Sequence, residues 1–155
     1  MDVQTAPDAT ASRTINAAPD AVWAAVTDLA SIRTRSPETF AARWTRGDGP
    51  AAGARFRGWN RNGPFVWATT CTVTDAQPGA SFAFDVTFMG MPVAAWRWDV
   101  APDGDSSRVT LGTWDRRERF MRVLGTAGSG VADRASHNQA GIEETLRRLA
   151  AALES

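Results

Sequence analysis

Turn signals punctuate the middle of this chain about every ten residues, and they allow one kind of backbone between them. Gly47-Asp48-Gly49-Pro50, Arg61-Asn62-Gly63-Pro64, Gln77-Pro78-Gly79, Met89-Gly90-Met91-Pro92 and Pro102-Asp103-Gly104-Asp105 follow one another. Glycine, proline, asparagine and aspartate supply the backbone angles that a reversal needs. Short alternating segments between such reversals are strands that pair antiparallel with their neighbours. The spacing predicts strands over 42–46, 54–60, 65–75, 81–88, 93–100 and 108–115, with an earlier strand over 10–16.

Helical signals sit only at the two ends. Pro19 fits the first turn of a helix, Asp20 suits the positive end of its dipole, and Val22, Trp23, Val26 and Leu29 form one apolar stripe. A second short helix is predicted over 31–36, stopped by Pro37. A long helix is predicted over 131–154, with Val131, Ala135, Asn138, Ile142, Leu146, Leu149 and Leu153 on one stripe. The stretch 116–130 reads equally as a helical lid or as a loop; it holds Phe120, Met121, Val123 and Leu124 among three glycines.

A seven-stranded sheet cannot leave an apolar face bare, and only the terminal helix is long enough to cover it. The expected fold is therefore α+β: a curved antiparallel sheet of seven strands wrapped round a long C-terminal helix, with two short helices between strands one and two. Such a wrap encloses a space. At 155 residues the chain makes one domain, 1–155, with 1–10 expected as a flexible tail.

Composition removes several functions. All 17 basic residues are arginine, so there is no lysine for a Schiff base or a phosphate-gripping loop. There is no tyrosine to act as a general acid. Cys71 and His137 are the only residues of their kinds, which leaves too few soft ligands for a metal site, and no cofactor is expected. A net charge of zero argues against nucleic acid as a partner. No apolar run suggests stable membrane insertion, and Met1 to Ala11 lack the apolar stretch of a signal peptide, so a cytoplasmic location is expected.

Charge is unevenly distributed along the chain. Residues 31–63 carry seven arginines against Glu38 and Asp48, a net +5, whereas residues 64–115 carry Arg97 and Arg108 against six aspartates, a net −4. The simpler expectation is that paired strands answer each other's charge across a solvated face. The other is an arginine-rich rim for an anionic ligand.

Strand parity sorts the large side chains. Phe56 and Asn60 share a face opposite Arg55, Arg57 and Trp59, while Trp67, Thr69 and Cys71 share one on the next strand. Phe82 and Phe84 oppose Asp85, Trp96 and Trp98 oppose Arg97 and Asp99, and Thr113 and Asp115 go with Val109 and Leu111. The charged residues then fall outside and the aromatic ones inside. Such residues fill ordinary cores, but an apolar interior with a few converging polar groups is also the usual form of a small-ligand site. The expected lining is Phe56, Asn60, Trp67, Thr69, Cys71, Phe82, Phe84, Trp96, Trp98, Thr113 and Asn138, with Phe40 from the 36–40 loop. That loop, with 90–92 and 120–130, would gate entry. Cys71 reads as a small buried filler. Asn138 interrupts the apolar stripe of the last helix, and a bare buried amide costs on the order of 1–3 kcal/mol. His137 and Arg134 lie beside it.

Several stretches carry a family resemblance: Ile15-Asn16-Ala17-Ala18-Pro19-Asp20-Ala21-Val22-Trp23, Gly53-Ala54-Arg55-Phe56-Arg57-Gly58, Pro78-Gly79-Ala80-Ser81-Phe82-Ala83-Phe84, Thr113-Trp114-Asp115-Arg116-Arg117, and the run from Asp133 to Leu149. Across nearly the whole chain this resembles the helix-grip fold of the START / Bet v 1-like (SRPBCC) superfamily, in its small bacterial polyketide cyclase/dehydratase-like members. The resemblance implies a hydrophobic small molecule as partner, aromatic or polycyclic, held between sheet and last helix, in a monomer or homodimer. In the aromatase/cyclase relatives, polar groups in the pocket orient a poly-β-keto chain and assist aldol closure and dehydration. If this chain is an enzyme of that kind, Asn138, His137 and Arg134 would be the donors to the developing enolate. A third alternative is an interaction module with a filled core, whose outer Trp59, Trp114 and arginines contact a partner.

Overall fold

The computed structural model describes residues 6–117 and 133–155. Strand β1 (Ala9–Ile15) leads into helix α1 (Pro19–Thr27), a 3-10 turn (Leu29–Ser31) and the four-residue helix α2 (Ile32–Arg35). Strands β2 (Thr39–Arg46), β3 (Arg55–Asn62), β4 (Phe65–Gln77), β5 (Ser81–Phe88), β6 (Met91–Asp103) and β7 (Ser106–Asp115) follow, then helix α3 (Arg134–Glu154). All seven strands form one antiparallel sheet in the order β1-β7-β6-β5-β4-β3-β2. This is the helix-grip arrangement. The sheet takes in Ala9, buried to 3 %, one residue ahead of the strand expected from Thr10. The possible lid at 118–130, and Val131, lie outside the described residues.

The turns work as their residues dictate. Gly79 has a φ of 75°, and a Cβ there would collide with the Asp20 carboxylate at the start of α1. Only glycine therefore permits both the reversal and this close approach. Helix α1 is further pinned by Trp23, whose indole N–H donates to the Ser81 carbonyl at 2.7 Å. Its apolar side, Val22 and Val26, closes one end of the sheet's concave face.

The concave face has two halves. Under α1 and the C-terminal half of α3 it is solid, with Ile15, Val73, Phe82, Val109, Leu146 and Leu149 all at most 2 % exposed. Elsewhere α3 stands off. Its close approaches are to β1, β7, α1 and α2, leaving a gap over β3 to β6.

Helix α3 also ties down the edge of the sheet. The Gln139 amide accepts from the Thr10 backbone N–H at 3.0 Å and donates to the Thr10 carbonyl at 2.9 Å. At the other end of α3, Glu154 accepts from the Asn16 backbone N–H at 2.8 Å.

The convex face corrects the expected charge pairing. β2 is an edge strand, so its only partner is β3, and both come from the basic stretch. Arg43 lies opposite Arg57 and Arg46 opposite Arg55. None of the four makes an ion pair among the described residues. The acidic stretch answers itself instead, with Arg97 bridging Asp75 at 3.3 Å and Asp99 at 3.0 Å. Like charges directly opposite destabilise a strand pair. Arg57→Glu is therefore expected to stabilise the fold by about 0.5 kcal/mol at low salt, with the gain shrinking at 1 M salt; urea titrations in both conditions check this.

Candidate functional site

The gap between α3 and the sheet is a cavity of about 290 Å³. Its walls follow from strand parity. Phe56, Gly58 and Asn60 come from β3, Trp67, Thr69 and Cys71 from β4, Phe84, Val86 and Phe88 from β5, and Trp96 and Trp98 from β6. Ile142 and Thr145 of α3 form the roof, with Asn138 toward its N-terminal end. Helix α2 and Pro37 close the side between α3 and β2, where a Cβ added to Gly141 would just touch Pro37 Cγ, at 3.8 Å. Edge-to-face contact of Phe56 with Phe84, at 5.1 Å between centroids, stiffens the inner end.

Three residues expected in the lining stand elsewhere. Phe82 belongs to the solid half of the core at 1 % exposure, its ring tilted against that of Phe84 at 5.5 Å between centroids. Thr113 is 1 % exposed, and its hydroxyl is spent on the Ala95 carbonyl at 3.0 Å. Phe40 is the extra residue of a β-bulge between Thr39 and Ala41, which turns it out to 36 % exposure beneath the Arg61 guanidinium. Trp114 corrects the notion of an outer contact residue as well. It lies on the convex face but is only 8 % exposed, its ring beside Gly112.

Polar groups in the cavity fall into three sets. Asn60, 7 % exposed, accepts from Thr39 Oγ1 at 2.7 Å and donates a long bond to Thr69 Oγ1 at 3.5 Å. Asn138 is half-buried, and its side-chain amide makes no hydrogen bond within the chain among the described residues. The charged set is arranged in pairs. Arg134 Nη1 donates to Glu38 Oε1 at 2.8 Å, with its guanidinium 5.8 Å from the Trp67 ring centroid, and His137 Nε2 lies 3.8 Å from Glu38 Oε2. Arg117 Nη2 donates to Asp115 Oδ2 at 2.9 Å. The candidate acid–base residues thus converge at one end of the cavity, but Arg134 is already neutralised by Glu38.

Cys71 faces this interior, and burial pushes its thiol up to about 12, against a smaller opposing pull from Thr69. A thiol so held is no nucleophile at neutral pH, in keeping with its reading as filler.

Several lining residues were not expected, Pro37, Glu38, Thr145 and Arg117 among them, and the most deeply buried charged one is Arg35. Arg35 ends α2, is 5 % exposed, and reaches back to the C-terminal end of α1. Its Nη2 donates to the Val26 carbonyl at 3.0 Å and the Asp28 carbonyl at 3.4 Å, and its Nη1 to Ser31 Oγ at 3.1 Å. In the sequence it looks like one more arginine of a short solvated helix; the only available signal was its place directly before Ser36-Pro37, where the chain must turn back over the sheet.

Fold and site together define a helix-grip protein with an internal, largely apolar cavity. The model of the polyketide cyclase / dehydrase and lipid transport family matches residues 6–154, and the chain belongs to that family. No protein of curated function matches it in sequence. Among solved structures it is similar to the polyketide-cyclase-like protein Cgl2372 of Corynebacterium glutamicum, at 25 % identity and a TM-score of 0.62 over 94 % of this chain and 90 % of that one. It is also similar to protein CV1439 of Chromobacterium violaceum, at 15 % identity and a TM-score of 0.68 over 94 % and 96 %. A third likeness, at 22 % identity and a TM-score of 0.65, is to the di-domain aromatase/cyclase BexL of the BE-7585A biosynthetic pathway, covering 94 % of this chain and 46 % of BexL. Among the described residues no helix is long and apolar enough to cross a membrane.

Proposed function

We propose that the chain binds a flat, mainly apolar small molecule, aromatic or polycyclic, between its sheet and α3. The observation that carries this is the cavity itself: about 290 Å³ of space walled by Phe56, Phe84, Phe88, Trp67, Trp96 and Trp98, beside a core half that is packed solid. A chain that needed only stability would close such a gap, because voids forfeit dispersion contacts and cost stability with their volume. The volume lies at the lower end of the range for small-molecule sites, which favours two or three fused rings over a long chain.

Gly58 offers a clean test. It sits in mid-strand on the cavity wall, where a Cβ would meet Thr69 Oγ1 at 3.5 Å and Thr39 Cγ2 at 3.8 Å, ordinary contacts. Gly58→Leu is expected to fold and to fill part of the hollow, weakening an apolar fluorescent probe such as anilinonaphthalene sulfonate at least tenfold, while Gly58→Ala changes its affinity less than threefold. Equal binding by wild type and Gly58→Leu would place the probe outside the cavity.

The free amide of Asn138 favours a second reading, in which the same cavity cyclises or dehydrates a polyketide-like substrate. Asn138 would donate to a substrate carbonyl as negative charge develops on its oxygen, with His137 beside it to move a proton. Loss of turnover in Asn138→Ala with ligand affinity retained distinguishes this from binding alone.

A further inference from the structure

We propose that the ligand carries an anionic oxygen of the carboxylate class, and that Arg35 is the counter-charge built into the cavity wall to receive it. This rests on the ligand-binding reading above and specifies its chemistry. Among the described residues, three arginines line the cavity: Arg35, Arg117 and Arg134. Two carboxylates line it with them, Glu38 and Asp115, and each already holds an arginine, Arg134 and Arg117. His137 apart, the lining therefore keeps one uncompensated positive charge, and the pairing locates it at Arg35.

The surroundings of Arg35 show how it is tolerated. Its three hydrogen bonds all go to neutral oxygens, the Val26 and Asp28 carbonyls and the Ser31 hydroxyl. A guanidinium has five N–H donors, so two remain for another partner. The carbonyl end of α1 contributes about half a negative charge at most. Burial pulls the Arg35 guanidinium down to about 10, with the Asp28 charge opposing, so it stays protonated at neutral pH. A buried cation with no carboxylate in ion-pair contact, only the more distant Asp28, is costly, and an anion arriving with an apolar body recovers part of that cost where water cannot compete. The two unused donors, on Nε and Nη1, carry the guanidinium charge, and charge-assisted bonds favour an anionic oxygen over a neutral one.

Calorimetric titration of the wild-type chain with 2-naphthoate and its neutral analogue 2-naphthamide tests this. The acid is expected to bind at least tenfold more tightly than the amide. In Arg35→Gln that preference is expected to fall below twofold, mainly through loss of acid affinity. Amide binding as tight as or tighter than acid binding by the wild type would overturn the inference, and this comparison needs no variant, so it decides even if Arg35→Gln does not fold. Collapse of the preference in Arg134→Gln rather than Arg35→Gln would move the anion to the Glu38 end and overturn the assignment to Arg35. Failure of acid, amide and naphthalene alike to bind would overturn the cavity reading itself, and this inference with it.

Discussion

Phe82→Ala should cost about 3–5 kcal/mol of folding stability, read as a lower urea midpoint at an unchanged slope. Phe82 is the largest side chain in the fully buried set, at 1 % exposure, and lies in the solid half of the core with Val73 and Val109. Removing its ring leaves a void that the neighbouring strands cannot close, because β4, β5 and β6 are locked in register on both sides of it. Against a typical total of about 5–15 kcal/mol, such a loss brings the chain near its unfolding threshold. Phe84 is the internal comparison. It lies two residues along the same strand but on the cavity wall, so Phe84→Ala enlarges an existing space and should cost about half as much. Equal losses at the two positions would mean that the cavity is closed in solution.

Alkali should destabilise the chain through one thiol. In the unfolded chain Cys71 ionises near 9, whereas burial holds it at about 12 in the fold. The folded state therefore keeps its proton where the unfolded state has lost it. The stabilisation is complete below pH 9 and is lost as pH rises from 9 toward 12. Between pH 9 and pH 10 the loss is on the order of 1 kcal/mol. The test is unusually clean because the chain has no lysine and no tyrosine to titrate in that window. Toward pH 10 and beyond Arg35 acts in the opposite sense, since its lowered value makes the folded chain release that proton first. Urea midpoints at pH 7, 9 and 10 should thus fall in the wild type, and stay level or rise slightly in Cys71→Ala. At pH 8 the thiolate should be about a thousandfold scarcer than in a free cysteine, so thiol reagents should label the folded chain correspondingly slowly.

The fold was legible because its turns are written in residues with little conformational choice. Gly63, Gly79, Gly90 and Gly104 all adopt left-handed angles, and the strands between them alternate apart from single irregularities at Val73/Asp75 and Val86/Thr87. Parity then predicted which face each aromatic residue occupies, but not how far along the concave surface it sits. Phe82 and Phe84 share a face, and only the position of α1 decides that one meets solid core and the other open space. Phe40 was misjudged for a different reason: it was assigned to a loop ahead of the strand, whereas it lies inside β2 as the extra residue of a bulge, and nothing in Thr39-Phe40-Ala41 announces one. Arg35 was the largest omission. A four-residue helix has no periodicity to read, and what buries this arginine is the carbonyl end of a helix nine residues earlier.

The amide of Gln139 has a consequence beyond the fold. By satisfying both backbone groups of Thr10, it plays the part of an eighth strand one residue long. An open β margin invites another molecule to zip onto it, and blocking even one rung interrupts that ladder. The opposite margin, β2, carries Arg43 and Arg46 and two irregularities of register, so a copy approaching there meets like charge and a kinked template. The two flanks are thus guarded by different means, one by occupation and the other by repulsion, and both discourage edge-to-edge pairing of a sheet with a hollow interior.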